Sequence, residues 1–375
     1  MKKLILLLLF ITTNIFAEIY ITPDPPKVDL VSYIIIDHKS SKELAGREIH
    51  KKHPPASLTK LMTAYVVFNK LKENIVSLKD KVRISEKAWK TGGSKSFIEV
   101  GKKIELETLI KGIIIQSGND SSVAIAEHVA GSESTFVDLM NRYADFLGMK
   151  NTQFENASGL PHPNQYSSAY DLAILSQKII EEFPEYYNWF KVKEFTYNNI
   201  KQMNRNRLLW MDNTVDGLKT GHTDESGFCL VSSAKRVDGM RLIVVALGAK
   251  SYKSRFIESQ KLLDYGFRFF ETKEVTNKDE VLTQIKLFKG KKNSLNVGLQ
   301  KVYHLTVPRG QFKNIKYILE INNKITAPIA KNQEIGKLKL ILDENIIKTY
   351  PLVSLEDVEG AGFLGKIIDS IKMLF

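Results

Sequence analysis

The stretch Pro54-Pro55-Ala56-Ser57-Leu58-Thr59-Lys60-Leu61-Met62-Thr63-Ala64-Tyr65-Val66-Val67-Phe68 decides the fold. Residues Ala56 to Phe68 are apolar on every side of a helical wheel, the pattern of a helix buried in a large core, and Pro55 suits its first turn. Residues three apart share a helix face, so the Ser57 hydroxyl and the Lys60 amine come within hydrogen-bond reach. A serine attacks a carbonyl only as it loses its proton, and a lysine whose pKa is depressed by burial or a second cation takes that proton. The helix N-terminus adds partial positive charge where negative charge develops. The same spacing recurs at Ser232-Ser233-Ala234-Lys235 inside a strand pattern, so the spacing gains meaning only from its surroundings.

Working outward, Leu106 to Val129 holds two apolar helical segments around Gln116-Ser117-Gly118-Asn119-Asp120. At that break Ser117 is placed to relay a proton and the Asn119 amide to bond a substrate peptide group. Further on, Lys219-Thr220-Gly221-His222-Thr223 precedes two strands, Phe228 to Ala234 and Met240 to Leu247, joined by an Asp238-Gly239 turn. Lys219 supplies the second cation, the Thr220 hydroxyl suits a carboxylate, and Gly221 permits close approach of a ligand backbone. A decoy, Lys90-Thr91-Gly92, has no strand after it. Singly each triplet is weak; in this order and these contexts they point to one nucleophilic site.

Composition limits the alternatives. The 375 residues are 43% hydrophobic and 26% charged, enough for one large domain and a smaller one. The single cysteine, Cys229, excludes an internal disulfide framework and a cysteine metal cluster. The seven histidines show no His-Glu-x-x-His spacing, so no metal and no cofactor are expected. His128 on an apolar helix reads as structural. A Gly-x-Ser-x-Gly elbow is missing, which argues against the common lipase and esterase architecture. The net charge of +12 is spread along the chain, as on a solvated basic surface, and no nucleic-acid partner is expected.

Residues 18–272 mix helix and strand patterns, with Ser134 to Leu147 and Ser259 to Phe270 as further helices. Residues 276–355 turn to short alternating runs such as Tyr303-Leu305-Val307, Tyr317-Leu319-Ile321 and Leu338-Leu340-Leu342. Turn signals stand at Pro308-Arg309-Gly310 and Asn322-Asn323, so a small β-rich domain is expected, carrying 14 basic and 6 acidic residues. Residues 1–17 have the charge, short apolar run and terminal alanine of a secretory signal, cut after Ala17. After Gly360-Ala361-Gly362, expected to be a flexible joint, Phe363, Leu364, Ile367, Ile368, Ile371, Leu374 and Phe375 fall in one arc of about 140°. Residues 360–375 are therefore expected to form an amphipathic helix lying on a membrane surface.

With these motifs assembled, the chain resembles the low-molecular-mass penicillin-binding proteins that act as D-alanyl-D-alanine carboxypeptidases. The resemblance extends to Pro55–Thr63, Leu147–Thr152, Gln165–Ser168, Asn204–Trp210, Val215–Asp224, Gly266–Glu271, Pro308-Arg309-Gly310 and Gly365–Ile371. It implies an α/β (α+β) penicillin-recognising serine transpeptidase/β-lactamase-like domain, a small C-terminal β-rich domain and a terminal amphipathic helix. It further implies attack by Ser57 on the penultimate D-alanine carbonyl of a peptidoglycan stem peptide, with Lys60 as base. Ser117, bonded to Lys219, would pass a proton to the leaving amine, and Asn119 would hold the acyl-side amide. Backbone N–H groups of Ser57 and His222 would form the oxyanion hole, with the His222 imidazole a bystander. Thr220 and Thr223, with Arg205 and Arg255, would face the terminal carboxylate. Gly92-Gly93 is expected in a loop beside the cleft. β-Lactams would acylate Ser57 as covalent inhibitors, and the enzyme would sit on the periplasmic face of the bacterial inner membrane.

Two other readings of the same residues stay open at this stage. A serine β-lactamase on this scaffold needs a carboxylate to activate its deacylating water, and none stands out between Asn119 and Lys219. A non-catalytic membrane-surface protein that binds cell-wall peptide would have no need of all three motifs.

Overall fold

In the computed structural model of the chain, residues 22–321 and 324–373 are described. The expected signal segment, the Asn322-Asn323 turn, and Leu374 and Phe375 of the terminal arc lie outside the described residues. The core of the first domain is a five-stranded antiparallel sheet in the order Glu43–Arg47, Ser32–Asp37, Arg241–Ala249, Gly227–Lys235, Val215–Thr223. Its central strands are buried on both faces because alternate residues serve two cores. Ile34, Ile36, Val231, Ile243 and Val245 face a large helical layer. Tyr33, Ile35, Leu230, Leu242 and Val244 face the opposite side with Leu262 and Leu263 of the helix Ser254–Phe269.

The helix Lys60–Lys72 runs through the helical layer, and Leu61, Met62, Tyr65, Val66, Val67 and Phe68 are all buried. Each such side chain withdraws an amount of apolar surface worth about 1.5–3 kcal/mol, so this helix is an anchoring post of the domain. It does not begin at Ala56 as expected. Ala56–Thr59 form a 3-10 turn, and Ala56 itself has φ of +46°. That left-handed entry, costing about 1–2 kcal/mol for a residue with a Cβ, is tied to Gly159: a Cβ built there would stand 1.9 Å from the Ala56 carbonyl oxygen. The close pass of residues 158–159 thus shapes the turn that carries Ser57.

The second helical break is also more distinctive than its sequence suggests. Leu106–Lys111 is α-helical, Gly112–Gln116 forms a wider π turn, and Ser117 follows in the left-handed region at φ +68° before the helix Asn119–Ala130 starts. The extra width of a π turn commonly marks a functional position. The Asp238-Gly239 turn and the helix Glu133–Phe146 form as expected, and the Ser232–Lys235 decoy lies in the strand Gly227–Lys235. His128 Nε2 is 3.1 Å from Asp80 Oδ2, consistent with a structural role.

The C-terminal region holds a second five-stranded antiparallel sheet in the order Thr283–Lys286, Ser294–Gly298, Asn345–Ser354, Glu334–Leu342, Lys316–Ile321. Its own core gathers Leu295, Val297, Leu338, Leu340 and Leu352. The strand His304–Pro308 pairs instead with Phe270–Glu274, so residues assigned from sequence to the first domain open the second. Phe363–Lys372 is helical, and it lies against this domain by its polar side: Asp369 Oδ2 accepts from the Lys289 N–H at 2.6 Å. Phe363, Leu364, Ile367, Ile368 and Ile371 remain exposed. The joint before it is tied down, since the Ala361 N–H donates to the Lys289 carbonyl at 2.7 Å.

Candidate active site

Ser57, Ser94, Ser117, Thr220, His222 and Arg255 line a groove of about 190 Å³ between the helical layer and the edge strand Val215–Thr223. The strand can reach the Ser57 turn because position 221 is glycine. A Cβ there would lie 3.0 Å from the Pro55 carbonyl oxygen, 3.2 Å from Leu58 Cγ and 3.3 Å from Ala56 Cβ. Gly221 also lines the groove, and its missing Cβ is what lets the strand close on the Ser57 turn.

Lys60 Nζ donates to Ser57 Oγ at 3.1 Å and to Asn119 Oδ1 at 2.7 Å, and also donates to the Ser158 carbonyl. Its side chain is buried. Burial first, and the Arg205 cation second, push its pKa down to about 7, against a smaller opposing pull from Asp120. An amine in that range exchanges its proton near neutral pH, which is what a general base requires.

Lys219 is also buried, and its pKa falls well below the ordinary lysine value through burial, then through the charges of Lys60, Arg205 and Arg255. The expected hydrogen bond between Ser117 and Lys219 is not made. Lys219 Nζ donates to the Thr220 carbonyl at 3.0 Å, while Ser117 Oγ is buried in the groove without a partner among the described residues. The left-handed backbone at Ser117 points to a side chain placed by the turn rather than by a lysine contact.

Asn119 is held inside the protein at both ends: its Oδ1 accepts from Lys60, and one N–H of its Nδ2 donates to the Gly92 carbonyl at 2.8 Å, which leaves the second N–H as a donor. Its backbone N–H donates to the Ser94 carbonyl at 2.7 Å, which brings the Gly92-Gly93 loop beside the groove. The geometry makes Asn119 a positioning residue for the Lys60 amine.

Thr220 lines the groove, but Thr223 does not: its backbone N–H donates to Ser226 Oγ at 2.8 Å and its Oγ1 accepts from the Ser226 N–H at 3.1 Å. Thr223 closes the strand turn, which corrects its assignment to a carboxylate. The His222 imidazole stacks on Phe228 with centroids 3.9 Å apart.

Arg205 and Arg255 both reach the groove. Arg205 Nε donates to the Gln116 carbonyl at 2.9 Å, and Arg255 Nη1 to the Gly221 carbonyl at 3.3 Å. Arg255 is buried among Tyr252, Phe256 and Phe228, and burial lowers its pKa to about 10. Its Nε has no partner among the described residues. The Ser158 carbonyl, Ser94, Tyr252 and Phe228 also shape the site, and sequence reading did not find them. A backbone acceptor leaves no side-chain signature, and the only hint was Gly159 after Ser158.

Residues 20–251 match the family model described as D-alanyl-D-alanine carboxypeptidase, and residues 270–360 match that of the penicillin-binding protein 5 C-terminal domain. The chain is 44% identical over 377 residues to D-alanyl-D-alanine carboxypeptidase DacC of Escherichia coli strain K12, spanning 98% of this chain and 94% of that one. It is 43% identical over 363 residues to DacA of the same strain, spanning 94% and 89%. Penicillin-binding protein 5 from Haemophilus influenzae superposes with a TM-score of 0.87 at 40% identity, covering 90% of this chain and 99% of that one.

Proposed function

Because the chain belongs to the D-alanyl-D-alanine carboxypeptidase family, we propose that its serine-peptidase chemistry runs through Ser57 and the Lys60 amine beside it. The activity is hydrolytic release of the terminal D-alanine from peptides ending in D-Ala-D-Ala, the end of a peptidoglycan stem peptide. Lys60, whose pKa of about 7 makes its neutral form available near neutral pH, takes the Ser57 proton as Oγ attacks the penultimate carbonyl carbon. The tetrahedral oxyanion lies between the backbone N–H groups of Ser57 and His222, an arrangement worth about 3–4 kcal/mol in comparable sites. The C–N bond then breaks as Ser117 delivers its hydroxyl proton to the departing amine and recovers one from the Lys60 ammonium, which returns to the neutral form. Water completes the cycle by hydrolysing the ester on Ser57, with Lys60 again as base. Thr220, Arg205 and Arg255 hold the terminal carboxylate, and Asn119 keeps the Lys60 amine aimed at Ser57.

The observation that carries this reading is the 3.1 Å contact of Lys60 Nζ with Ser57 Oγ in a buried setting that depresses the amine to about 7. The test is mass spectrometry of penicillin-treated protein, in which the covalent adduct is expected on Ser57. An adduct elsewhere, or none on folded protein, refutes the assignment and favours a non-catalytic peptide-binding protein.

A carboxypeptidase is favoured over a β-lactamase because no carboxylate lines the groove among the described residues. Asp120, the acid acting on Lys60, is buried and accepts from the Ser96, Ile98 and Ser121 N–H groups. It is thus unavailable to activate a deacylating water.

The membrane partner follows from the exposed apolar side of Phe363–Lys372. No described helix is long and apolar enough to cross a membrane, and this one is suited to lie in the interface. We take the protein to be exported, on the signal-like pattern of residues 1–17, and to act on the periplasmic face of the inner membrane.

A further inference from the structure

The groove does not end at the arginines assigned to the terminal carboxylate. Arg205, Tyr252 and Arg255 also line a second, contiguous depression of about 410 Å³, walled by Ile200, Met203 and Arg207. The second depression therefore begins where the terminal carboxylate of a bound peptide is held, on the leaving-group side of the scissile bond.

Its charge exceeds what that carboxylate needs. Arg205, Arg207 and Arg255 lie along one continuous surface, and none forms an ion pair with a carboxylate among the described residues. Elsewhere the chain pairs its cations readily: Arg241 with Asp216 at 2.6 Å, and in this same depression Lys201 with Glu194 at 2.7 Å. One α-carboxylate engages Arg205 and Arg255 and leaves Arg207 over. Arg207 is nonetheless held in place, its Nε donating to Tyr252 Oη at 3.3 Å and its guanidinium 5.2 Å from the Trp210 ring centre. Its two terminal nitrogens have no partner among the described residues. A guanidinium fixed by an aromatic platform, with its fork free, is suited to bidentate capture of a second anion.

We propose that Arg207 centres a leaving-side subsite for a second carboxylate, carried on the side chain of the D-amino acid that departs. This inference rests on the carboxypeptidase reading above. Such a residue places its α-carboxylate on Arg205 and Arg255 and its aliphatic stem against Ile200 and Met203. Its side-chain carboxylate then meets Arg207. The chemistry is unchanged: the same C–N bond breaks, the amine takes the relayed proton, and water yields the shortened peptide and a free acidic D-amino acid.

The test uses three N-acylated peptides ending in D-Ala-D-Ala, D-Ala-D-Glu and D-Ala-D-Gln, with the full chain and its Arg207→Ala and Arg207→Lys variants. Glu and Gln match in size and differ in charge. The wild type is expected to favour release of D-glutamate over D-glutamine by about tenfold in kcat/KM, less at high salt. Arg207→Ala brings that ratio to about one, Arg207→Lys retains part of it, and both leave D-alanine release within about twofold. Equal release of the two by the wild type overturns the subsite, and this comparison needs no variant to fold. Survival of the preference in Arg207→Ala overturns it too, as does an equal fall for all three peptides. If the wild type releases no D-alanine, the parent reading fails. Rapid D-alanine release without the glutamate preference sinks only the subsite.

Discussion

Lys60 Nζ stands 3.1 Å from Ser57 Oγ across a single helical turn. The hydroxyl belongs to a 3-10 turn and the amine to the first residue of the α-helix behind it. The pair therefore straddles a junction whose shape is set by the left-handed Ala56 and by Gly159 against it.

Replacement of Ser57 by alanine removes the nucleophile but no core contact, because the side chain faces the groove. D-Alanine release is expected to fall by at least about 10³-fold, with the thermal midpoint within a few degrees of wild type. Steady-state hydrolysis and calorimetry check the two halves separately.

The Lys60 pKa of about 7 sets the sign of the pH dependence. Below that value the amine is protonated and cannot accept the Ser57 proton, so acylation by penicillin is expected to decline with an acid limb near pH 7. Asn119→Asp puts a carboxylate where Oδ1 now lies 2.7 Å from the amine. An adjacent negative charge favours the ammonium, so the limb should move to higher pH, with activity at pH 7 reduced and partly recovered in alkali. Stopped-flow acylation rates across pH reveal the direction of the shift.

Gly221→Ala introduces a Cβ against the Pro55 carbonyl, Leu58 and Ala56. The strand Val215–Thr223 must then draw back from the Ser57 turn. A loss of about 1–3 kcal/mol in stability is expected, together with about a tenfold or greater loss in acylation rate as the oxyanion donors separate. Denaturant unfolding and penicillin labelling measure the two effects.

Arg255 and Thr220 are expected to matter only when a free carboxylate is present. Arg255→Gln should lower kcat/KM for a peptide ending in D-Ala-D-Ala by about 10–100-fold. It should change the much slower turnover of the corresponding terminal amide by far less. Thr223→Val, by contrast, should cost stability through the Ser226 turn and leave the acid-to-amide ratio as in wild type.

Removal of residues 363–375 takes away an exposed apolar surface while leaving the groove intact. The shortened protein should stop co-sedimenting with lipid vesicles and keep full turnover in solution. Persistent sedimentation would assign membrane binding to another surface.

Helix, hairpin and β-rich region were legible in the order of the chain because each is written in local periodicity. The apolar run behind Ser57 specifies a buried helix, and the Asp238-Gly239 turn with flanking strands specifies a hairpin. The three polar triplets were legible because the chemistry needs a hydroxyl, an amine and a second cation, and few residue types supply them. Arg255 carried the weakest signal of the site, since nothing near it in sequence marks a carboxylate site, yet it reaches the groove from the helix Ser254–Phe269.

What the sequence by itself determined is therefore the identity and order of the groups we assign to the reaction, since spacing along a helix or strand is a local property. The partners of those groups were decided only in three dimensions. Asn119 is held by Lys60 and Gly92, Ser117 is left without Lys219, Thr223 is held in a turn, and Gly221 lets its strand close on the Ser57 turn while it lines the groove. Hydrogen bonds and desolvation depend on distances between segments far apart in the chain. The Lys60 amine owes its depressed pKa to burial and to Arg205, 145 positions away in sequence, which no local pattern records.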